Sequence, residues 1–170
     1  IRPTGMPVQS PTTAATAYEP VIGLEVHVQL GTDTKMFCRC EARFGAPPNT
    51  LVCPICSGQP GTLPMLNAEA LRRGVLAGLV LGCTIDPSTK FDRKNYFYPD
   101  LPKGYQISQF DRPLCRDGQF SFERADGSIG SVTIVRAHLE EDSGKIIHPE
   151  GMDISLVDLP AGAVHLKVVS

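Results

Sequence analysis

The amino-acid sequence predicts an α+β fold: a mostly antiparallel sheet with packed helices and one irregular loop held by a metal ion. Three observations predict it. Apolar and polar residues alternate at period two in two separate stretches, the pattern of half-buried strands. A capped apolar stretch between them reads as a helix. Four cysteines stand as two short-spaced pairs, Cys38-x-Cys40 and Cys53-x-x-Cys56, inside a segment rich in proline and glycine.

Taken in chain order, residues 1–17 are dominated by Thr, Ala and Pro, with one Arg and no acid. Too few large apolar groups are present to order that stretch, so a disordered leader is expected, either the remnant of an organelle-targeting peptide or a plain unstructured extension. In the stretch 21–30, Leu24, Val26, Val28 and Leu30 alternate with polar residues and predict a strand. The same period sets Glu25, His27 and Gln29 on its other face, where a carboxylate and an imidazole make half of a cation site or a proton relay; a solvated strand face has the same pattern.

The cysteine segment follows. Four thiolates close a tetrahedral shell around Zn²⁺, and two short-spaced pairs are the usual way a chain delivers them. Pro47, Pro48, Pro54, Gly58, Pro60, Gly61 and Pro64 exclude a helix or a long strand across the segment, so a zinc loop over 38–63 is expected, with Cys38, Cys40, Cys53 and Cys56 as ligands. Disulfides are not expected, because a chain of 170 residues with 42% hydrophobic content can bury a core without them. A closed four-cysteine site shapes a protein and leaves catalysis to other residues. Cys83 and Cys115 read as ordinary thiols.

Asn67 caps a predicted helix over 68–81, with Glu69 in its first turn. Gly74, Gly78 and Gly82 recur every fourth residue, and because interior glycine costs about 1 kcal/mol against alanine, the stripe predicts a closely packed neighbour. Over 90–111, Lys90, Arg93, Lys94 and Lys103 are interleaved with Phe91, Tyr96, Phe97, Tyr98 and Tyr105. That mixture suits phosphates and bases, and equally a small core under an irregular loop. Strands are predicted over 119–123 and 129–137, joined by an Asp126-Gly127 turn. The second leads into Glu140, Glu141 and Asp142 before a glycine, a dense set of oxygen ligands or a solvated turn.

A formal net charge of -2 leaves the whole chain without a basic field for a polyanion. No apolar run is long enough to cross a bilayer as a helix, so no membrane partner is expected. Nucleotide-binding glycine loops, nucleophile elbows and catalytic-triad motifs are missing from the sequence.

The stretches 21–30, 91–109 and 138–145, with Phe44–Asn49 and Gly61–Pro64, closely resemble the GatB family, the GatB subunits of the aspartyl/glutamyl-tRNA amidotransferases, over about 18–158. The resemblance implies the N-terminal part of a catalytic cradle domain with a glutamine-synthetase-like α+β fold. It implies a ligase acting in translation, which uses ATP to phosphorylate glutamate on tRNA(Gln) or aspartate on tRNA(Asn) and then displaces the phosphate with ammonia. It further implies Mg²⁺ or Mn²⁺ beside structural zinc, the amidase subunit (GatA) and the small subunit (GatC) as partners, and mischarged tRNA held mostly by other regions. The implied catalytic set is Glu25, His27, Lys94, Glu140 and Glu141, with Glu25, His27 and Glu141 at the Mg²⁺ or Mn²⁺ ion. The compartment implied is the cytoplasm of a bacterium, or a mitochondrion or chloroplast, and not the secretory route.

Residues 159–170 depart from the family pattern: its Asn-Arg pair is missing, and Lys167 stands where the family has a pocket glutamate. A lysine there opposes bound cations. Two readings follow from this divergent end: part of an amidotransferase whose chain alone is inactive, or a GatB-derived zinc protein with a structural role in a larger assembly, such as one in an organelle. A free-standing zinc module for RNA fits the slightly acidic charge less well.

Overall fold

A computed structural model describes residues 18–159 and 164–170; the leader expected over 1–17 lies outside the described residues. The elements in chain order are β1 (Glu25–Leu30), α1 (Ala68–Val80), β2 (Thr84–Ile85), β3 (Asp92–Asn95), β4 (Tyr105–Ser108), β5 (Cys115–Glu123), β6 (Ile129–Glu141), β7 (Lys145–Ile147), β8 (Leu156–Asp158) and β9 (Val164–Val169). Five strands form one sheet in the order β1-β9-β6-β5-β2, and every neighbouring pair is antiparallel. Two antiparallel ribbons, β3-β4 and β7-β8, stand beside it. The fold is α+β with a mostly antiparallel sheet, and among the described residues one helix packs on it rather than several.

The sheet is held by the β5-β6 hairpin. Its turn uses Gly127 at φ +80°, and Asp126 accepts from the Ser128 backbone N–H at 3.0 Å. Both strands run longer than the alternation predicts: β5 begins at Cys115, and β6 continues through His138 to Glu141. Strand β9 lies between β6 and β1, with Val164 and Leu166 fully buried. Part of the divergent end therefore forms a central strand. Strand β1 is shorter than its apolar pattern: its pairing with β9 runs from Leu30 to Glu25, and residues 21–23 are exposed. As an edge strand, β1 keeps Val26 and Val28 partly exposed although both point to the core side of the sheet.

Helix α1 covers that core side. The Asn67 Oδ1 atom accepts from the backbone N–H groups of Glu69 (2.9 Å) and Ala70 (3.2 Å), and its Nδ2 donates to the Thr34 carbonyl at 3.0 Å. Ala70, Gly74 and Gly78 are its buried residues. A methyl group on Gly74 would come within 2.7 Å of Leu114 Cδ2, and one on Gly78 within 2.6 Å of Cys115 Sγ. The glycine stripe thus marks close packing against β5 and β6. Gly82 plays another part: at φ +67° it lies beyond the helix and turns the chain left-handed. The core comprises Met36, Phe37, Leu114, Cys115, Ala137, Leu139, Val164 and Leu166 with the buried side of α1.

The basic and aromatic stretch over 90–111 is more ordered than an irregular loop. Asp92–Asn95 pairs with Tyr105–Ser108, and the proline-containing residues 96–104 connect them. The ribbon is docked at the end of β6 by Gln106 Nε2 donating to the Glu141 carbonyl (2.7 Å) and the Leu139 N–H donating to Gln109 Oε1 (3.0 Å). No described helix is long and apolar enough to cross a membrane.

Candidate functional site

Direct partners in an antiparallel sheet share a face. Register therefore sets Glu25, His27 and Gln29 on the same side as His165 and Lys167 of β9 and as Arg136, His138 and Glu140 of β6. This is the face away from α1, and it is strongly polar. Its buried centre is Glu140, whose side chain is only 7% exposed. The Glu140 carboxylate lies 3.3 Å from His27 Nδ1 and 3.5 Å from His138 Nε2, and accepts from Ser108 Oγ at 3.2 Å. Burial pushes its pKa up, but the bond to His138 and the charges of His138, Lys167 and His27 outweigh burial and hold it below the ordinary glutamate value.

A cavity of about 460 Å³ opens between this face and the β3-β4 ribbon. Lys94, Arg136, His138, Glu140 and Lys167 line it, with Ser108 and Phe110 among the other walls. His138 is almost fully buried, and its Nδ1 has no hydrogen-bond partner. Arg136 lies over the Phe110 ring at 5.5 Å, and Lys94 over the Tyr96 ring at 5.6 Å.

The structure brings together some of the residues singled out from sequence and separates others. His27 and Glu140 are in contact, and Lys94 shares the cavity with Glu140. Glu25 is on the same face, but its carboxylate is held by Lys167 Nζ at 2.8 Å, which keeps its pKa below normal. Glu141 is not brought to Glu25 and His27. It follows Glu140 in the same strand, and strand alternation turns it to the opposite face. There it meets Lys103 Nζ at 2.5 Å and accepts from the Ile107 N–H at 2.8 Å. Both members of that ion pair are 13% exposed. Burial raises the Glu141 pKa despite the lysine beside it. Lys103, one cation among several in its stretch, gave no signal of this role in the sequence. Arg136 and His165 were missed as well: Arg136 lies within the strand predicted over 129–137, and the alternation of Val164, Leu166 and Val168 already sets His165 on the outer face.

The four cysteines converge. Their sulfurs all lie within 4.8 Å of one another, Cys38 and Cys56 are buried, and none forms a disulfide. The Cys53 and Cys56 sulfurs are 3.8 Å apart, close to the separation of about 3.8 Å that a tetrahedral shell with bonds of about 2.3 Å requires. The Cys53 N–H donates to Cys56 Sγ at 3.1 Å, and Lys35 Nζ is 4.0 Å away. The Cys56 thiol is drawn down to about 4, first by the bond from Cys38 and further by Cys53 and Lys35, against the effect of burial. Such a cluster can hold a metal ion. Cys83 and Cys115 are buried apart from it, and burial pushes Cys115 up to about 12. On the helix side, a cavity of about 230 Å³ separates Cys38 and Cys56 from Lys103 and Glu141.

A sequence model described as the GatB/GatE catalytic domain matches residues 20–169. The GatB subunit of the aspartyl/glutamyl-tRNA(Asn/Gln) amidotransferase of Rhodopirellula baltica is 57% identical over 154 residues, covering 88% of this chain and 31% of that protein. Its counterpart in Caldanaerobacter subterraneus is 56% identical over 154 residues, covering 90% and 32%. The GatB subunit of the chloroplastic/mitochondrial glutamyl-tRNA(Gln) amidotransferase of Ostreococcus lucimarinus is 55% identical over 166 residues, covering 94% and 33%. The chain thus spans about a third of the length of the curated relatives it matches.

Proposed function

The chain belongs to the GatB/GatE catalytic-domain family, and from that premise we propose that it carries the pocket in which glutamate on tRNA(Gln), aspartate on tRNA(Asn), or both, are activated by ATP and amidated. The observation that carries this reading is the cavity where Lys94, Arg136 and Lys167 surround Glu140 and His138. The aminoacyl side-chain carboxylate attacks the γ-phosphorus and ADP leaves. Ammonia then attacks the acyl carbon, phosphate leaves, and the amide is formed. Charge accumulates on phosphate oxygens in the first step, and preorganised cations are what stabilise it. Lys94, Arg136 and Lys167 supply them. Glu140, kept ionised in its buried position, accepts a proton from the attacking nitrogen with His27 beside it.

Glu25 and Glu141 are positioning residues in this reading. Glu25 holds the Lys167 ammonium at the cavity rim, and Glu141 holds Lys103 and β4 against β6. The metal in the cysteine cluster is structural Zn²⁺. Mg²⁺ or Mn²⁺ accompanies ATP, but a protein shell of Glu25, His27 and Glu141 does not fit the arrangement, since one carboxylate is taken by Lys167 and the other faces the opposite side. No step is assigned to an ion in that shell. The amidase subunit, GatA, supplies ammonia from glutamine, the small subunit, GatC, completes the assembly, and tRNA is gripped mainly by other regions of the relatives. The setting is translation in a bacterial cytoplasm or in an organelle, matching the range of relatives.

The test is ATP-dependent conversion of Glu-tRNA(Gln) to Gln-tRNA(Gln) in the presence of the amidase partner. It compares this chain with one extended by the segments its relatives possess. Conversion that falls about a hundredfold in Lys94→Ala is expected, in line with removal of one preorganised charge-stabilising group. No conversion by either form would overturn the reading and favour a structural role in a larger assembly.

A further inference from the structure

We infer that Phe110 is a stacking shelf for an adenine base at the mouth of the cavity lined by Lys94, Arg136 and Lys167, an inference that rests on the nucleotide and aminoacyl-tRNA reading of that cavity. The ring is part of the cavity wall and yet 70% exposed, with the Arg136 guanidinium 5.5 Å from its centroid. One face is therefore covered by a cation and the other is open to solvent. A large exposed ring adds little to a core, but every nucleobase has a flat face that can lie on it.

The backbone that carries the ring is fixed on both sides. Gln109, only 2% exposed, donates from Nε2 to the Lys90 carbonyl at 3.2 Å and accepts from the Leu139 N–H at 3.0 Å. The Phe110 N–H donates to Asp92 Oδ2 at 3.1 Å, and Lys90 Nζ ties Asp92 (3.1 Å) to Asp111 (2.8 Å). A ring held this way loses little freedom when a ligand covers it. The Lys90 charge also offsets the Asp92 carboxylate, which would otherwise repel a phosphate at this wall.

The surroundings name the ligand class. Arg136 Nε is buried without a hydrogen-bond partner among the described residues, an open donor beside the shelf that a ribose or phosphate oxygen would fill. Arg93, over the Tyr105 ring at 4.7 Å, adds a cation to the same cavity. A flat apolar face among cations suits an adenosine joined to phosphate. Two ligands share that chemistry: ATP, and the unpaired terminal adenosine of tRNA, whose ribose carries the aminoacyl group. With the base on Phe110, the phosphates of the first or the ester of the second extend inward toward Lys94 and Glu140.

The sequence contains no tryptophan, so Phe110→Trp installs a single fluorophore at the shelf. The full chain carrying it is titrated with ATP, with a CCA trinucleotide ending in adenosine, and with ribose 5-phosphate, which has no base. Saturable quenching by ATP or by the trinucleotide is expected, with none from ribose 5-phosphate, and the ligand that quenches at lower concentration identifies the source. Tyr98→Trp, at an exposed ring outside this cavity, should show no saturable quenching. In equilibrium dialysis with the same labelled ligand, Phe110→Leu should weaken binding about tenfold, and Phe110→Tyr, which keeps a ring, should leave it nearly unchanged. No saturable quenching by either adenosine ligand, equal quenching in Tyr98→Trp, or equal loss in Phe110→Tyr and Phe110→Leu would overturn the shelf. Amidation is judged apart from it: quenching without conversion would sustain the shelf and overturn only the reaction assigned to the cavity.

Discussion

Glu140 and Glu141 are adjacent, chemically alike and indistinguishable in sequence, yet the structure gives them different work. Strand β6 continues through both, so they point to opposite faces. Glu140 meets two histidines and Ser108, and Glu141 meets Lys103. The sequence showed three acids before a turn, and only the length of the strand could divide them. Removing one member of a buried pair leaves an uncompensated charge, which costs about 3 kcal/mol or more. Lys103→Met should therefore destabilise the chain by roughly that amount near neutral pH. The pH dependence has a definite sign. Burial already raises the Glu141 pKa above its unfolded value, and loss of Lys103 removes the groups that oppose the rise. A carboxyl with a raised folded pKa is destabilising where the unfolded state has ionised, so the deficit should grow as pH rises through the carboxylate range and shrink as pH falls toward and below 4.5. Urea unfolding of both forms across that range checks it. A deficit independent of pH would mean that Lys103 acts through packing alone.

Helix α1 shows which elements a local pattern can disclose. Its cap and its span were legible because capping and glycine spacing act within a few residues. Asn67→Ala should cost about 1 kcal/mol for the cap, and somewhat more here because Nδ2 also reaches Thr34. Asn67→Asp should restore only the capping part, separable by thermal unfolding of the two variants. At Gly78, propensity and packing oppose each other. Alanine gains about 1 kcal/mol as a helix former, whereas the added methyl meets Cys115 Sγ at 2.6 Å and Ile85 Cδ1 at 3.0 Å. Overpacking of this kind costs about 1–3 kcal/mol, so Gly78→Ala should be net destabilising. Cys115→Ala in the same chain should recover part of that loss, and strictly additive costs would show that the sulfur is not the obstacle. The β3-β4 ribbon was not legible. Asp92–Asn95 is polar on both faces, so no period marks it, and its partner lies beyond a proline-rich connection. Strand β9 carries clear alternation, but its departures from the family pattern mask it. Long-range pairing, with β9 between β1 and β6, is information that no local window contains.

At the scale of the whole molecule, the cysteine loop is built into the sheet rather than hung on it. Met36 and Phe37, immediately before Cys38, are core residues, and Phe37 stands edge-on to Phe91 at 5.2 Å. Where the loop returns, the Met65 N–H donates to the Phe37 carbonyl (2.8 Å) and the Asn67 N–H to the Met36 carbonyl (2.9 Å), so the helix cap and the loop share one anchor. Its far side is tied to β8 by the Asn49 N–H donating to Asp158 Oδ1 at 2.9 Å. With Zn²⁺ bound as proposed, the ion closes the remaining gap between 38–40 and 53–56, and its binding free energy is folding free energy for a segment too rich in proline and glycine to pair with itself. Removing zinc should therefore unfold the molecule in order. Backbone amides over 38–63 should lose hydrogen-exchange protection first, those over 34–37 and the first turn of α1 next, and the β5-β6 hairpin last, since it relies on the sheet and not on the metal. Cys53→Ser should reproduce the first stage without chelator. Exchange measured by mass spectrometry, with and without zinc, resolves these segments. Simultaneous loss of protection in the hairpin and the loop would show that the metal supports the whole fold, and unchanged protection over 38–63 would remove zinc from the structural account.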